Sequence, residues 1–267
     1  MGRALARCPS EPTFSRAFAT FAADGLPQQI PEHLIKTYAG PKLAGHISRD
    51  ATAIEAPKRP ARKPAAPEAA AYPRGRPKKG EERPAPPPKR LELQLHRPLA
   101  ENLADLLHAC DVGTKCNSKG YKTRWIGHKL HLDPIDGDLP VSAVLTSASV
   151  HDSQVSIPLA QLSAQRVTSL SDLMDSAYDA PQIHAFSRQL GHVPIIAPHP
   201  RGGEARELSP AASERFKERS IAERVNSLLK ERYGARWVRV RGAAKVMCHL
   251  MFGVVALTAT ALFARWC

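Results

Sequence analysis

The sequence predicts an α/β protein, a mixed sheet with helices packed against it. Three features of the 267 residues point there. Two long β-patterned runs are joined by a short turn, which demands antiparallel pairing. Shorter β-branched-rich runs then alternate with helical patterns, as in sheets whose faces are covered by helices. A long helical pattern over 210–233 carries one apolar stripe fit to bury and one polar stripe fit to present.

Taken in order, residues 1–45 read as a partial N-terminal helical region. Ser10 or Thr13 is placed to cap a segment reaching residue 23, and Pro31 stands where a second helix is expected to begin. Residues 46–56 alternate as a strand, with Asp50 and Thr52 on one face. Composition then changes abruptly. Between 57 and 90 lie ten prolines, eleven basic residues and three acidic ones, a surplus of eight positive charges. Such a stretch cannot bury enough apolar surface to offset its ordering entropy, so a disordered, basic, Pro-rich linker or insert is expected after the first strand, assigned to 57–120.

The sheet resumes at 125–133 and 139–147, joined by Pro134-Ile135-Asp136-Gly137-Asp138 with its Asp-Gly turn signal. Asp152 is a natural N-cap for a helix through residue 162. A short strand over 170–174 runs into Asp175. A helix over 180–190, with Asp179 as its expected cap, stops at Gly191, and 193–197 is another β-branched-rich strand. Ser209 as cap and Pro210 as first helical residue open the long helix, which Gly234 ends. Residues 243–264 are largely apolar, but Lys245 and His249 interrupt them. The unbroken run of about 15 residues falls short of the roughly 18–20 that span a bilayer, so a buried C-terminal helix is expected and no membrane role. The main folded unit is read as 46–56 together with 121–264.

The formal net charge of +13 and pI near 9.8 favour a polyanionic partner, nucleic acid first, because Lys and Arg release counterions when they neutralise phosphates. Five scattered cysteines without a CxxC pair argue against a disulfide framework or a structural zinc site, and suit a reducing cytoplasm. The charged start is followed by no apolar run, so no secretory signal is expected.

Three acids stand out: Asp50 on the first strand, Asp175 at the end of a later one, and Glu223 inside the long helix. At about 100° per residue, Phe216, Arg219, Glu223 and Lys230 fall within an arc of roughly 60°. Ile221, Val225, Leu228 and Leu229 cluster on the opposite side. One helix thus buries a stripe while presenting an aromatic, two cations and a carboxylate together. His151, beside Asp152, is read as a turn residue.

This stripe, Phe216-x2-Arg219-x3-Glu223-x6-Lys230, resembles the Y-x2-R-x3-E-x6-K signature of DDE-type insertion-sequence transposases of the insertion-sequence-four group, with Phe in place of Tyr. Asp175-Ser176-Ala177-Tyr178-Asp179 is similar to the D-x-G/A-Y segment around that family's second acid, and Asp50 in Ser48-Arg49-Asp50-Ala51-Thr52 to its first. Gly127-His128-Lys129-Leu130-His131-Leu132 and Ser149-Val150-His151-Asp152-Ser153 are also family-like.

The resemblance implies an RNase H-like fold in which Asp50, Asp175 and Glu223 converge as catalytic, metal-holding residues for two Mg²⁺ ions, Mn²⁺ being able to substitute. It implies Mg²⁺-dependent cleavage at transposon ends followed by strand transfer. The partners would be double-stranded DNA, both terminal inverted repeats and target, bound by a homo-oligomer in the bacterial cytoplasm at the nucleoid. Arg219 and Lys230 would contact phosphates, the alternative for Arg219 being a helix-face salt bridge with Glu223. Arg74, Arg76, Lys78 and Lys79 in Pro73-Arg74-Gly75-Arg76-Pro77-Lys78-Lys79 would bind DNA as an AT-hook in a narrow minor groove, or as a non-specific phosphate-binding tether. Two other readings stay open. With 49 residues before Asp50, the chain could be an inactive, truncated remnant that only binds DNA. A cellular nuclease of the same superfamily is the third.

Overall fold

The computed structural model describes residues 9–56, 59–60, 87–116, 120–199 and 207–264. Arg74, Arg76, Lys78 and Lys79, and with them the disorder expected of the Pro-rich stretch, lie outside the described residues. The fold is RNase H-like, a mixed sheet flanked by helices.

Two helices come first, α1 (Glu11–Asp24) and α2 (Leu26–Tyr38), hinged at Gly25, whose φ of 64° is the left-handed conformation that glycine adopts without strain. The second helix was expected to begin at Pro31; it begins at Leu26 and runs through that proline. Pro27, Pro31 and Ile35 are its buried residues, so packing overrides the lost amide. Two short strands, β1 (Leu43–Ala44) and β2 (Ile47–Ser48), lead into β3 (Asp50–Glu55). The single strand expected over 46–56 is divided at Arg49, yet its pairing keeps one register on both sides of the break.

Residues 87–116, which the sequence groups with the linker, carry α3 (Arg90–Gln94), α4 (Leu99–Ala104) and β4 (Asp111–Cys116). Their apolar residues explain it: Leu91 and Leu95 pack beside buried Ile157 and Phe186, and Leu106 joins Val144, Val150, Val155 and Leu159. The central strand is β5 (Lys122–Ile135), longer at both ends than expected, and the turn at 136–138 leads into β6 (Leu139–Ser147). Gly137 and Asp138 both have positive φ, 74° and 60°, as the tight Asp-Gly hairpin requires. β2 and β3 follow each other antiparallel along β5, with Ile47 opposite Ile135 and Asp50 opposite Leu132; β6 pairs along His128–Ile135 and β4 along Lys122–Gly127.

The chain continues through α5 (Ser153–Ala164), β7 (Thr168–Ser169), β8 (Ser171–Met174), α6 (Pro181–Gln189) and β9 (Val193–Ile196). β8 runs parallel to β2 and to β9, and β7 pairs with β1 in a separate two-stranded ladder. The long helix of the sequence is interrupted: α7 (Pro210–Phe216), a 3-10 turn (Lys217–Arg219) and α8 (Ser220–Glu231). At the break, the Glu218 carbonyl accepts a hydrogen bond from the Ser48 hydroxyl at 3.4 Å, a contact between segments 170 residues apart. Ser209 caps α7 through the amide of Ala212 as expected.

The last helix, α9 (Ala243–Ala264), has the length and composition of a bilayer-crossing segment, but half of its apolar window is buried within the protein. Val246, Leu250, Met251, Val254 and Leu257 join Ile221, Val225 and Leu229 of α8 and Ile54, Leu130, Leu132 and Leu145 of the sheet in one core. α5 covers the other face. Through it runs a buried ion pair: Arg49, 1% exposed, makes two hydrogen bonds to Asp133 at 2.8 and 2.7 Å, and Ser163 donates to the same carboxylate at 2.7 Å.

Candidate active site

Asp50 opens β3 on the sheet face that meets α8, because alternation puts it with Thr52 and Ile54, and Ile54 packs against Ile221 and Val225. Asp175 follows β8 directly. Ser48 pairs with Leu173, so two residues further along these neighbouring parallel segments Asp50 and Asp175 come level. Asp175 accepts from the amide of Ala177 at 2.9 Å, which fixes it at the head of the 3-10 turn Ser176–Tyr178.

The electrostatics agree with this placement. Burial pushes the Asp50 carboxyl up to about 6; the Ala51 amide and Arg219 oppose the rise, and the negative fields of Asp175 and Asp152 add to it. Tyr178, fully buried, has its phenol pushed well up by burial and then by Asp152, Asp50 and Asp175. Its hydroxyl has no hydrogen-bond partner among the described residues.

α8 supplies the opposite wall. Asn226 donates from Nδ2 to Asp50 Oδ2 at 3.0 Å, while its own buried Oδ1 has no hydrogen-bond partner among the described residues. Arg219 and Lys230 both act on Asp50 through their charge. Burial, then the charge of Lys115, holds the half-buried Lys230 ammonium below its ordinary range. Arg219, Asn226 and Lys230, spaced by seven and four, lie along one line of the helix. Glu223 stands on the same line between Arg219 and Asn226.

The Glu223 carboxylate itself does not reach Asp50 here. Its side chain is 64% exposed and ion-paired with Arg219 at 2.6 Å, and the Arg219 guanidinium lies 5.9 Å from the Phe216 ring centroid. The helix-face salt bridge given as an alternative for Arg219 is thus formed. No group of three His, Cys, Asp or Glu side chains among the described residues is arranged to hold a metal ion.

Do these residues suit a divalent cation? A part-buried carboxylate with a raised pKa, a second carboxylate whose field acts on it, and the Asn226 amide oxygen, without a hydrogen-bond partner among the described residues, are hard oxygen donors of the kind that a divalent cation takes. Asp50 and Asp175 fit; Glu223 fits by position on the helix and not by its present side-chain orientation.

Several neighbours differ from expectation. Asp152 does not cap α5: its backbone is already helical, with φ −60° and ψ −37°, so its carboxylate cannot reach the first-turn amides. It pairs instead with Lys129 at 2.8 Å. Asp179 does not cap α6, whose cap position is Ala180; it binds His184 at 2.9 Å and the His199 amide at 2.9 Å. His151 bonds Ser153 at 2.8 Å in the turn before α5. The sequence reading passed over Asn226 and Tyr178 as members of the site. Asn226 was legible in principle, since it lies three residues beyond Glu223 on the same stripe; Tyr178 was quoted only as part of a motif.

A family model described as Transposase DDE domain matches residues 108–259, more than half of the chain, from just before β4 into α9. It includes Asp175 and Glu223 and stops short of Asp50. No curated protein and no solved structure gives a match. An RNase H-like sheet with acids level at its strand ends, and a helix bearing Arg, Glu, Asn and Lys across from them, agrees with that match: the chain belongs to the DDE-domain transposases.

Proposed function

We propose that the chain cleaves DNA at transposon ends in a metal-dependent reaction and then joins the freed 3′-hydroxyl to target DNA, with Asp50, Asp175 and Glu223 as the metal-holding acids. The observation that carries this is the hydrogen bond from Asn226 to Asp50, which ties the α8 stripe to the strand-end acids. Divalent cations held by these acids, Mg²⁺ or Mn²⁺, would supply activation of the attacking oxygen and stabilisation of the leaving one. Asn226 orients Asp50. Glu223 turns from Arg219 towards Asp50, and the released guanidinium, with Lys230, grips phosphate oxygens beside the scissile bond. DNA is thereby drawn to the one surface where the acids meet. A homo-oligomer on paired ends, and the basic stretch with Arg74, Arg76, Lys78 and Lys79 as a further DNA tether, belong to the same reading.

The test is nicking of duplex DNA carrying the terminal inverted repeats. Asp50→Asn, Asp175→Asn and Glu223→Gln each lower Mg²⁺-dependent cleavage by a factor of about a hundred to a thousand, the size expected for loss of one charge-stabilising group, while gel-shift binding persists. Retention of cleavage by all three variants defeats the proposal.

A second reading, a DNA binder that does not cut, is favoured by the Arg219–Glu223 ion pair, which occupies two members of the stripe with each other. Binding without nicking by the unaltered chain in Mg²⁺ and in Mn²⁺ decides for it.

A further inference from the structure

β4 and the first half of β5 form a two-stranded ribbon, with Asp111–Cys116 paired in register to Lys122–Gly127. Six paired positions at roughly 3.4 Å give a ribbon on the order of 20 Å long. Directly opposed residues share a face. One face therefore carries Thr114 and Cys116 with Lys122 and Arg124, and the other carries Gly113, Lys115, Thr123 and Trp125. Lys115, Lys122 and Arg124 are exposed, none is ion-paired to a described residue, and the ribbon's single described carboxylate, Asp111, sits at its base. The Trp125 ring lies flat over Gly113, where a Cβ would meet it at 2.3 Å, so the ribbon is braced by its own side chains. Lys115 also acts on Lys230, which connects the ribbon to the α8 stripe.

We infer that the β4–β5 ribbon is a DNA-binding arm that engages the phosphates of the duplex held at the acids, with cations on both of its faces. It rests on the reading of the chain as DNA-acting and adds a contact surface outside the acids. Charge complementarity selects the occupant: a narrow ribbon with cations on both faces has the shape that a major groove admits, with phosphates flanking each side. Lys115, nearest Lys230, meets the backbone beside the cleavage site, and Lys122 and Arg124 meet it further out. A purely protective role for these cations, keeping an exposed edge from pairing with another chain, is the competing explanation.

Salt dependence separates the two. Binding of a fluorescent random-sequence duplex is followed by anisotropy from about 50 to about 200 mM salt, with EDTA present so that no cleavage occurs. Replacing Lys115, Lys122 and Arg124 together by Gln lowers the slope of log K against log salt by about 2.7, three phosphate contacts at about 0.9 each. The charge-keeping variant, Lys115→Arg, Lys122→Arg and Arg124→Lys, restores the wild-type slope. A triple Gln variant that aggregates more readily but keeps the wild-type slope overturns the inference in favour of edge protection. Wild-type protein that does not bind duplex overturns it together with the reading on which it rests, whereas retained nicking in the acid variants counts against that reading alone.

Discussion

His131 is fully buried on β5, sharing a hydrogen bond of 2.8 Å with Thr146, and burial brings its imidazole down to about 4. A histidine whose folded value is depressed is neutral in the native state while the unfolded chain takes up a proton, so its contribution is complete above about 6.5 and is lost as pH falls towards 4. Between pH 7 and pH 5 this removes about 2 kcal/mol of stability, and about 3 kcal/mol by pH 4. Asp50, pushed up by burial, works in the opposite sense over part of that window, so the informative comparison is wild type against His131→Gln, in which the Asp50 share cancels. Urea midpoints at pH 7 and pH 5 should show the loss in wild type and a flatter response in the variant. Equal slopes would show that His131 is not the titrating group. The residue alternation that buries His131 is readable from the strand pattern, but its lack of charge at neutral pH is not, because burial depth depends on what α5 lays over the sheet.

At the scale of elements, α8 and α9 close the face that holds Asp50. Their approach is tight at Gly253, where a Cβ would stand 2.5 Å from the Tyr233 carbonyl oxygen and 3.3 Å from the Tyr233 side chain. Backbone cannot give way as a flexible side chain can. Gly253→Ala should therefore lower stability by about 1–3 kcal/mol through overpacking, despite the roughly 1 kcal/mol that alanine gains in helix propensity. A thermal melt checks it, and a raised midpoint would show that the helices are free to separate. The same pair of elements shows where sequence reading stops. The apolar stripe of Ile221, Val225 and Leu229 was legible from spacing, and those residues are the ones that pack on the sheet. The 3-10 turn at Lys217–Arg219 was not, since a distant hydroxyl, Ser48, takes up the Glu218 carbonyl. That break changes the winding between Phe216 and Arg219, so the arc drawn for one straight helix holds only from Arg219 onward.

For the whole molecule, the buried Arg49–Asp133 pair adds a polar link between the sheet and α5 on the face that α5 covers. Arg49 lies between β2 and β3, Asp133 on β5, and Ser156 and Ser163 on α5, while Met174 of β8 lies 3.4 Å from the guanidinium. Burial opposes the charge on Arg49, and Asp133 and Asp172 restore it, leaving its pKa raised. Arg49→Ala removes the cationic partner of the buried Asp133 side chain, a loss that costs about 3–5 kcal/mol. Replacing both by apolar residues of similar volume should cost far less, because no lone charge remains. Denaturant unfolding of the single and double variants tests this; a single variant within about 1 kcal/mol of wild type would mean that water reaches the site.

The sequence by itself determined the alternation of strands and helices, the Asp-Gly hairpin, the capped start at Ser209 and the apolar stripe of α8, because each is set by spacing within a dozen residues. It also held the motifs that resemble a transposase. Only the tertiary structure decided that Asp50 and Asp175 stand level, that Asn226 bonds Asp50, and that Glu223 rests on Arg219. The first two relations join segments more than a hundred residues apart, and the third takes up one of the two roles that the sequence left open for Arg219; all depend on packing and burial that no local pattern encodes.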